Sequence, residues 1–242
     1  MTNHNSIVNW SIAEIANKLQ EQNSWLKSIS KQSLRTLLRS GDAVLLKDGT
    51  KVATRIKPCT AVYIILTGGI RVYSTSSQGK EYLVAILEPG NVFGLLGSFD
   101  GKPNPHDATS HGDTCALKIP DRNFRRLIDE NAELRKLLVN LFCERLRSCF
   151  QVLEDFATKS PRSRLAGRLL ALSAAYGYEG TDGVVLGIKI TQNALGAMAS
   201  VSRQRTNMYL HDMEHAGILT LNNGQVALLD LDQLRVIAEE SE

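Results

Sequence analysis

The spacing of hydrophobic residues along the chain changes character twice. Within residues 1–39 the hydrophobic residues recur at helical intervals, and from 41 to 119 they form short runs separated by turn residues, which is typical of β-strands. From Pro120 onward the interval is helical again. The pattern predicts three parts: a β-rich domain with N-terminal helices at 1–130, a long helix at 131–159 and a second domain at 160–242.

The apolar runs of the first domain are short, and most end at turns that contain glycine. Gly68-Gly69 and Pro89-Gly90 each close such a run. Short strands with glycine turns predict an antiparallel barrel or roll, and His106 and His111 are expected in loops between its last strands. The predicted strands are 44–46, 61–66, 70–73, 82–87, 92–94 and 116–119.

The predicted long helix begins after Asn131, which can cap it, and carries one narrow apolar seam at near-heptad spacing. A helix of about 26 residues extends ~39 Å, which is longer than a small roll covers. The excess seam therefore predicts a second copy of the chain as its partner, and so a homodimer. The seam comprises Leu134, Leu138, Phe142, Leu146, Cys149, Leu153 and Phe156.

The second domain begins with Ser160-Pro161, an N-cap followed by proline at the first helical position. This start signal predicts a hinge directly after the long helix. Downstream, Thr191 and Ser202 are spaced to cap two helices of about eight and about fourteen residues. A hairpin turning at 222–224 follows them. Two helices joined by a short turn and followed by a hairpin predict a winged helix-turn-helix.

The second of these two helices opens with residue types that read DNA bases. Arg203 can fork onto guanine, and Gln204 or Asn207 can pair with adenine. Their i, i+1 and i+4 spacing lets one face present all three. The candidate phosphate contacts are Thr191, Ser202 and Arg205.

The charge of the second domain does not by itself predict DNA binding. From Lys159 to the C-terminus there are eight Lys and Arg residues against nine Asp and Glu residues, so overall attraction to phosphate is weak. The basic residues are nevertheless unevenly placed, which predicts a local positive patch. It comprises Lys159, Arg162, Arg164, Arg168, Arg203 and Arg205.

Several short sequence stretches are each weak as motifs but are specific when they occur together in one order. They are Gly79-Lys80-Glu81, Leu87-Glu88-Pro89-Gly90-Asn91-Val92-Phe93-Gly94, Phe99-Asp100, Ile190-Thr191, Val201-Ser202-Arg203-Gln204 and Gly217-Ile218-Leu219. In this order and spacing the chain resembles the cyclic-AMP receptor protein (Crp/Fnr) family of bacterial transcription regulators. One departure is Ser200, at a turn position that is commonly glycine.

The resemblance implies an α+β fold with an N-terminal antiparallel β-roll like a cyclic-nucleotide-binding domain, a long dimerisation helix and a C-terminal winged helix-turn-helix. It also implies the partners of such a regulator. These are a second copy of the chain, double-stranded DNA with a two-fold symmetric site, RNA polymerase and a small-molecule effector.

The residues at the positions where family members contact cyclic AMP do not identify the effector of this chain. Family members that bind cyclic AMP use a Gly-Glu pair for the ribose and an Arg-Ser pair for the phosphate, and the matching residues here are Gly94-Leu95 and Asn104-Pro105. The pair of the long helix that meets the base matches Cys149-Phe150. Leucine accepts no hydrogen bond, and Asn and Pro carry no charge. The sequence therefore argues against cyclic AMP in its usual pose and leaves any cofactor unidentified.

Two alternatives stay open beside an effector-gated regulator. The first is a regulator that binds DNA without ligand and uses its roll only as structure. The second is a cupin-like metalloenzyme, which needs several converging histidines. Of the five histidines, only His106 and His111 fall in the roll region, and no catalytic motif is present. We therefore expect no enzyme, no catalytic residue and no metal site.

Composition sets the remaining limits. The net charge is +3, from 28 Lys and Arg residues and 25 Asp and Glu residues, which excludes a strongly cationic binder. Without a membrane-length apolar run or a signal-like N-terminus, a soluble cytoplasmic protein with no membrane partner is expected. The four cysteines lack C-x2-C spacing, so reduced thiols that are buried as small apolar side chains are expected. An iron–sulfur cluster requires the fold to gather all four, and Cys149 on the seam is a candidate redox switch.

Overall fold

The structure is a computed structural model that describes residues 14–15, 26, 29–76, 78–79, 81–181, 183–188, 190–222 and 225–240. The chain divides into two compact units, Met1–Arg145 and Leu146–Glu242. Of the helices predicted within 1–39, the first lies mostly outside the described residues. No helix among the described residues is long and apolar enough to cross a membrane.

The first unit is a β-roll with helices. Its elements are α1 (Lys31–Arg39), β1 (Asp42–Leu46), β2 (Lys51–Ala53), β3 (Ala61–Thr75), β4 (Glu81–Leu87), β5 (Val92–Phe93), α2 (Leu95–Asp100), β6 (Asp107–Pro120), α3 (Asp121–Glu130) and the start of α4 (Ala132–Thr158). The strands form one antiparallel sheet in the order β1-β6-β3-β4, with β2 paired to β6 and β5 paired to β3. The predicted antiparallel roll is confirmed.

Strand β3 alternates its side chains between two buried faces, which explains its nearly continuous apolar sequence. Val62, Ile64 and Leu66 pack with the helices. Tyr63 and Ile65 point to the opposite face, where they pack with residues of β5 and β6. Because successive strand residues face opposite sides, this second cluster forms the interior of the roll.

Two sequence interpretations of the roll were wrong. Gly68-Gly69 does not separate two strands, because β3 continues through it with an irregular register to β6. Gly68 has φ of 73°, and a Cβ there would lie 2.5 Å from the Asp113 carbonyl oxygen, so glycine absorbs a bulge rather than a turn. His111 lies within β6, paired with Gly69, and not in a loop.

The short helix α2 follows β5 and was missed by the sequence analysis. Gly94, expected at the end of a strand, is instead the N-cap of α2 with φ of 93°. A Cβ at Gly94 would lie 2.6 Å from the Ala61 carbonyl oxygen. The left-handed backbone and this close approach both require glycine.

The long helix α4 begins as predicted, because the Asn131 side-chain oxygen accepts a 3.0 Å hydrogen bond from the Leu134 backbone N–H. Leu134 and Leu138 are buried in the core of the first unit. Phe142 packs edge-on against Phe99, with ring centroids 5.3 Å apart. The first half of α4 is therefore covered by its own roll.

The second unit has its own core. Its elements after α4 are α5 (Pro161–Tyr176), β7 (Gly177–Glu179), β8 (Val184–Leu186), α6 (Gln192–Ala199), α7 (Arg203–His215), β9 (Leu219–Asn222), β10 (Gln225–Leu228) and α8 (Leu231–Glu239). The sheet order is β7-β8-β10-β9. Helices α6 and α7 followed by the β9–β10 hairpin confirm the winged helix-turn-helix, whereas β7 and α8 had no sequence prediction.

Candidate nucleic-acid interface and effector cavity

Helices α6 and α7 start where their capping residues predict. The Thr191 hydroxyl oxygen accepts a hydrogen bond from the Ala194 N–H at 3.1 Å, and the Ser202 hydroxyl accepts one from Arg205 at 3.4 Å. Both caps are exposed. Each helix therefore begins at a fixed and exposed residue, and the N–H groups that its cap does not engage are of the kind that can hold phosphate.

The two helices approach closely at Gly196. A Cβ on that residue would lie 2.3 Å from the hydroxyl oxygen of Thr206, which is fully buried. Between the helices, Ser200 adopts φ of 51° and ψ of 45°, the left-handed conformation. Serine therefore occupies the turn geometry that glycine adopts at lower cost.

The face of α7 that is turned away from the core carries the predicted reading residues. Arg203, Gln204 and Arg205 are exposed, and Asn207 is partly exposed. Neither guanidinium has a partner among the described residues. Sequence reasoning missed Met208, which is 48% exposed on this helix. An exposed thioether beside amide and guanidinium groups supplies an apolar contact of the kind that thymine methyl groups receive.

The predicted positive patch is not one surface of free charges. The Arg164 Nε donates to the Ala199 carbonyl at 3.1 Å, and the Arg168 Nε donates to the Met198 carbonyl at 3.1 Å. Lys159 pairs with Asp155 at 3.1 Å. Arg162 lies 3.9 Å from Glu240. Four of the six basic side chains are thus engaged by other groups of the second unit, whereas Arg203 and Arg205 have no such partner among the described residues.

One carboxylate, that of Glu214, connects the β9–β10 hairpin to α7. Glu214 on α7 accepts a 3.0 Å hydrogen bond from the Leu221 N–H on β9, and its other oxygen lies 3.1 Å from the His211 Nδ1. The helix and the wing therefore present one connected surface.

A cavity of about 160 Å³, which we name the effector cavity, lies in the first unit where four of the predicted pocket residues meet. Gly94, Leu95, Asn104 and Pro105 line it. Cys149 and Phe150 are exposed and are not among the residues that line it. Its volume is about half of the roughly 300 Å³ at which pockets for drug-sized ligands usually begin.

Two polar side chains of this cavity, Arg145 and His106, were not among the predicted pocket residues. Arg145 on α4 donates from Nη2 to the Val92 carbonyl at 2.8 Å, and burial lowers its pKa. The His106 Nδ1 lies 2.8 Å from the Ser74 hydroxyl. Burial, and then Arg55, lower the pKa of His106. The cavity wall is otherwise mostly apolar.

The second half of α4 carries four exposed large apolar side chains. Leu146, Phe150 and Leu153 are 55%, 59% and 64% exposed, and Phe156 is 37% exposed. The guanidinium carbon of Arg164 lies 5.0 Å from the centre of the Phe156 ring. Of the predicted seam, Leu146, Cys149, Leu153 and Phe156 are thus on the surface, whereas Leu138 and Phe142 pack against the roll.

The cysteines are all free. Cys115 is buried, and burial raises the pKa of its thiol, whereas Cys143 and Cys149 are exposed, which corrects the expectation of buried thiols. Within the described part of the chain, no group of three or more His, Cys, Asp or Glu side chains could hold a metal ion.

Comparisons with known proteins agree with this architecture. Residues 43–131 match the cyclic nucleotide-binding domain and residues 163–237 match the Crp-like helix-turn-helix domain. The CRP-like cAMP-activated global transcriptional regulator of Mycobacterium tuberculosis is 24% identical over 208 residues, 86% of this chain and 93% of that protein. The cyclic AMP receptor protein of Thermus thermophilus is 27% identical over 178 residues, 74% and 79% of the two chains.

The solved structure of FixK2 from Bradyrhizobium japonicum shares the fold, with a TM-score of 0.72 at 19% identity over 84% of this chain and 99% of that chain. The two matched domains define a transcription regulator with a cyclic-nucleotide-binding-type domain and a helix-turn-helix, not an enzyme. The chain belongs to the Crp/Fnr family.

Proposed function

We propose that this Crp/Fnr regulator acts in the cytoplasm as a homodimer that binds a two-fold symmetric DNA site, with α7 of each protomer in the major groove of one half-site. The observation that carries the proposal is the exposed opening of α7, where Arg203 and Gln204 face solvent. A helix that enters the groove with its first turn reads bases with such side chains. Thr191, Ser202 and Arg205 are the proposed phosphate contacts, and Asn207 is a further reading residue.

The proposed dimer contact is the apolar surface of the second half of α4. Leu146 and Leu153 are seven residues apart and Phe150 lies between them, the spacing of a coiled-coil seam. Apolar side chains more than half exposed gain free energy when a second copy covers them. We place 1–130 as the sensor domain, 131–159 as the dimerisation helix and 160–242 as the DNA-binding domain, with RNA polymerase as a further partner.

The proposed input is a small molecule other than cyclic AMP in its usual pose. The effector cavity is small and offers Leu95 where a ribose hydroxyl requires an acceptor. Arg145 supplies positive charge, but its Nη2 already donates to the Val92 carbonyl. A regulator that binds DNA without ligand is the second candidate, and the same small apolar cavity favours it.

The test is a random-DNA selection on the purified full-length protein with no ligand, repeated with cyclic AMP. A palindromic motif whose affinity does not change when cyclic AMP is added is expected of a regulator that binds DNA without ligand, or of protein purified with its effector already bound. Recovery of a motif only with cyclic AMP contradicts the proposed input, and recovery of a non-palindromic motif contradicts the symmetric dimer. A selection that yields no motif in either condition, from protein that is folded by circular dichroism, contradicts ligand-independent binding.

A further inference from the structure

The roll contains a second cavity, of about 270 Å³, on the other side of the Phe93–Asn104 wall from the effector cavity. The loop between β2 and β3 covers it, and Lys51, Lys57 and Cys59 of that region line it. Only Phe93 and Asn104 are common to the two linings. The second cavity is therefore a separate space with its own chemistry.

Two buried polar side chains line this second cavity without a hydrogen-bond partner among the described residues. Asn104 is 4% exposed and Tyr63 is 8% exposed, and neither side chain forms a hydrogen bond to another described residue. The Thr54 hydroxyl, which also lines the cavity, is buried without a partner among the described residues. Burial, and then Cys59, raise the pKa of Tyr63, so its hydroxyl is a donor at neutral pH. Buried polar groups are normally paired, so an amide and a hydroxyl left open in a cavity indicate a polar ligand.

The charge of the lining indicates an anion. Lys51 and Lys57 are exposed at the edge of the cavity, and none of the described residues that line it is acidic. Neither ammonium group has an ion-pair partner in the part of the chain that is described. The remaining wall includes Phe93 and small apolar side chains, which suit a flat apolar body.

We propose that the second cavity binds a small monocarboxylate with a flat apolar body. The Asn104 amide and the Tyr63 hydroxyl donate to the carboxylate, and Lys57 with Lys51 compensate its charge. A carboxylate accepts several donors at once, and charged acceptors form the stronger hydrogen bonds. The apolar body fills the space beside Phe93.

Cys59 connects the second cavity, which it lines, to Gly94, which lines the effector cavity. The Cys59 thiol donates toward the carbonyl oxygens of Ala61 and Gly94, each 3.3 Å from Sγ. A Cβ at Gly97 would lie 2.5 Å from the Cys59 Cβ, so Cys59 packs tightly behind α2. A ligand in the second cavity would contact Cys59, whose thiol donates to the carbonyl of Gly94, the N-cap of α2.

The experiment uses benzoate as the probe and the full-length protein. Binding is measured by titration calorimetry, and the site is located by the rate at which iodoacetamide alkylates each cysteine, read by peptide mass spectrometry. Benzamide is the neutral control ligand. Lys57→Met removes the charge and keeps the length of the side chain, Asn104→Asp reverses the donor, and Lys136→Met on α4 is the matched control.

We expect saturable benzoate binding, slower alkylation of Cys59, and unchanged alkylation of the exposed Cys143. Benzamide, Lys57→Met and Asn104→Asp each weaken binding on the order of ten-fold, and Lys136→Met does not. Asn104 is buried, so a charge placed there can unfold the protein. In that event the exposed Lys57→Met variant tests the proposal instead. Absence of binding up to about 10 mM, or equal binding by Lys57→Met, overturns the proposal. Loss of binding in His106→Leu with Lys57→Met unaffected places the anion in the effector cavity and also overturns it.

Discussion

Arg164 on α5 stacks its guanidinium 5.0 Å from the centre of the Phe156 ring on α4. The same guanidinium donates to the Lys159 carbonyl at 2.8 Å and to the Ala199 carbonyl at 3.1 Å. The Arg164 side chain thus contacts the end of α4, the connection between α4 and α5, and the end of α6 just before the turn to α7.

The first prediction concerns this junction. Arg164→Ala removes two hydrogen bonds from a charged donor and one cation–π contact, so we expect about 1.5–3 kcal/mol lower stability. Specific DNA affinity also falls, because the turn at Ala199 loses its anchor. Urea unfolding and a fluorescence DNA-binding assay measure the two effects. Arg235→Ala is the control, since Arg235 pairs with the exposed Asp232, and equal losses in both variants would contradict the role of Arg164.

The second prediction separates base reading from phosphate binding on α7. Arg203→Ala is expected to cost about 1–3 kcal/mol of specific affinity and to relax one position of the selected motif. Arg205→Ala is expected to weaken all sequences alike and to reduce the salt slope by about one. Binding to the selected site and to a scrambled site at several salt concentrations distinguishes them. An unchanged motif with Arg203→Ala removes Arg203 as a reader.

The third prediction tests the dimer surface. Leu153→Glu places a charge on the apolar surface of α4, where association would bury it without a partner, so a monomer is expected by light scattering. Val236→Glu is the matched control, because Val236 on α8 is 65% exposed and Leu153 is 64% exposed. If Leu153→Glu remains as dimeric as Val236→Glu, this part of α4 is not the interface.

The fourth prediction is a pH dependence. Burial raises the pKa of Glu88 from 4.5 to about 7. The folded state therefore keeps a proton that the unfolded chain releases, and the contribution of Glu88 to stability falls as the pH rises through this interval. Glu88→Gln keeps a neutral side chain at every pH, so its stability relative to the original protein rises between about pH 5 and about pH 8. A constant difference in urea unfolding across this range would be inconsistent with a buried carboxyl.

The fifth prediction concerns the turn between α6 and α7. Ser200 has φ of 51°, a conformation that costs a non-glycine residue about 1–2 kcal/mol. Ser200→Gly relieves this cost but enlarges the freedom of the unfolded chain, so a net gain of up to about 1 kcal/mol is expected. Ser200→Val has a branched Cβ and is expected to destabilise the fold. Thermal unfolding of the two variants in parallel checks the opposite signs.

Local chemistry made much of the second unit predictable. Ser160, Thr191 and Ser202 each cap the helix that the sequence predicts, as their hydrogen bonds show. A cap depends only on a side chain and the N–H groups two or three residues later, so it is visible in sequence. Strand β7 had no sequence prediction, because a segment of three residues carries no reliable periodicity.

The sequence by itself determined the order of the parts, the helix starts and the residue types that α7 offers to DNA, because these depend on neighbours along the chain. Only the tertiary structure decided which charges are free and which are bound. Arg164 and Arg203 are indistinguishable as sequence, yet one is held by carbonyl groups and the other is exposed. Asn104, Tyr63 and Lys57 likewise meet at one cavity because β3, β6 and their loops fold together, and contacts between residues so distant in sequence leave no local pattern.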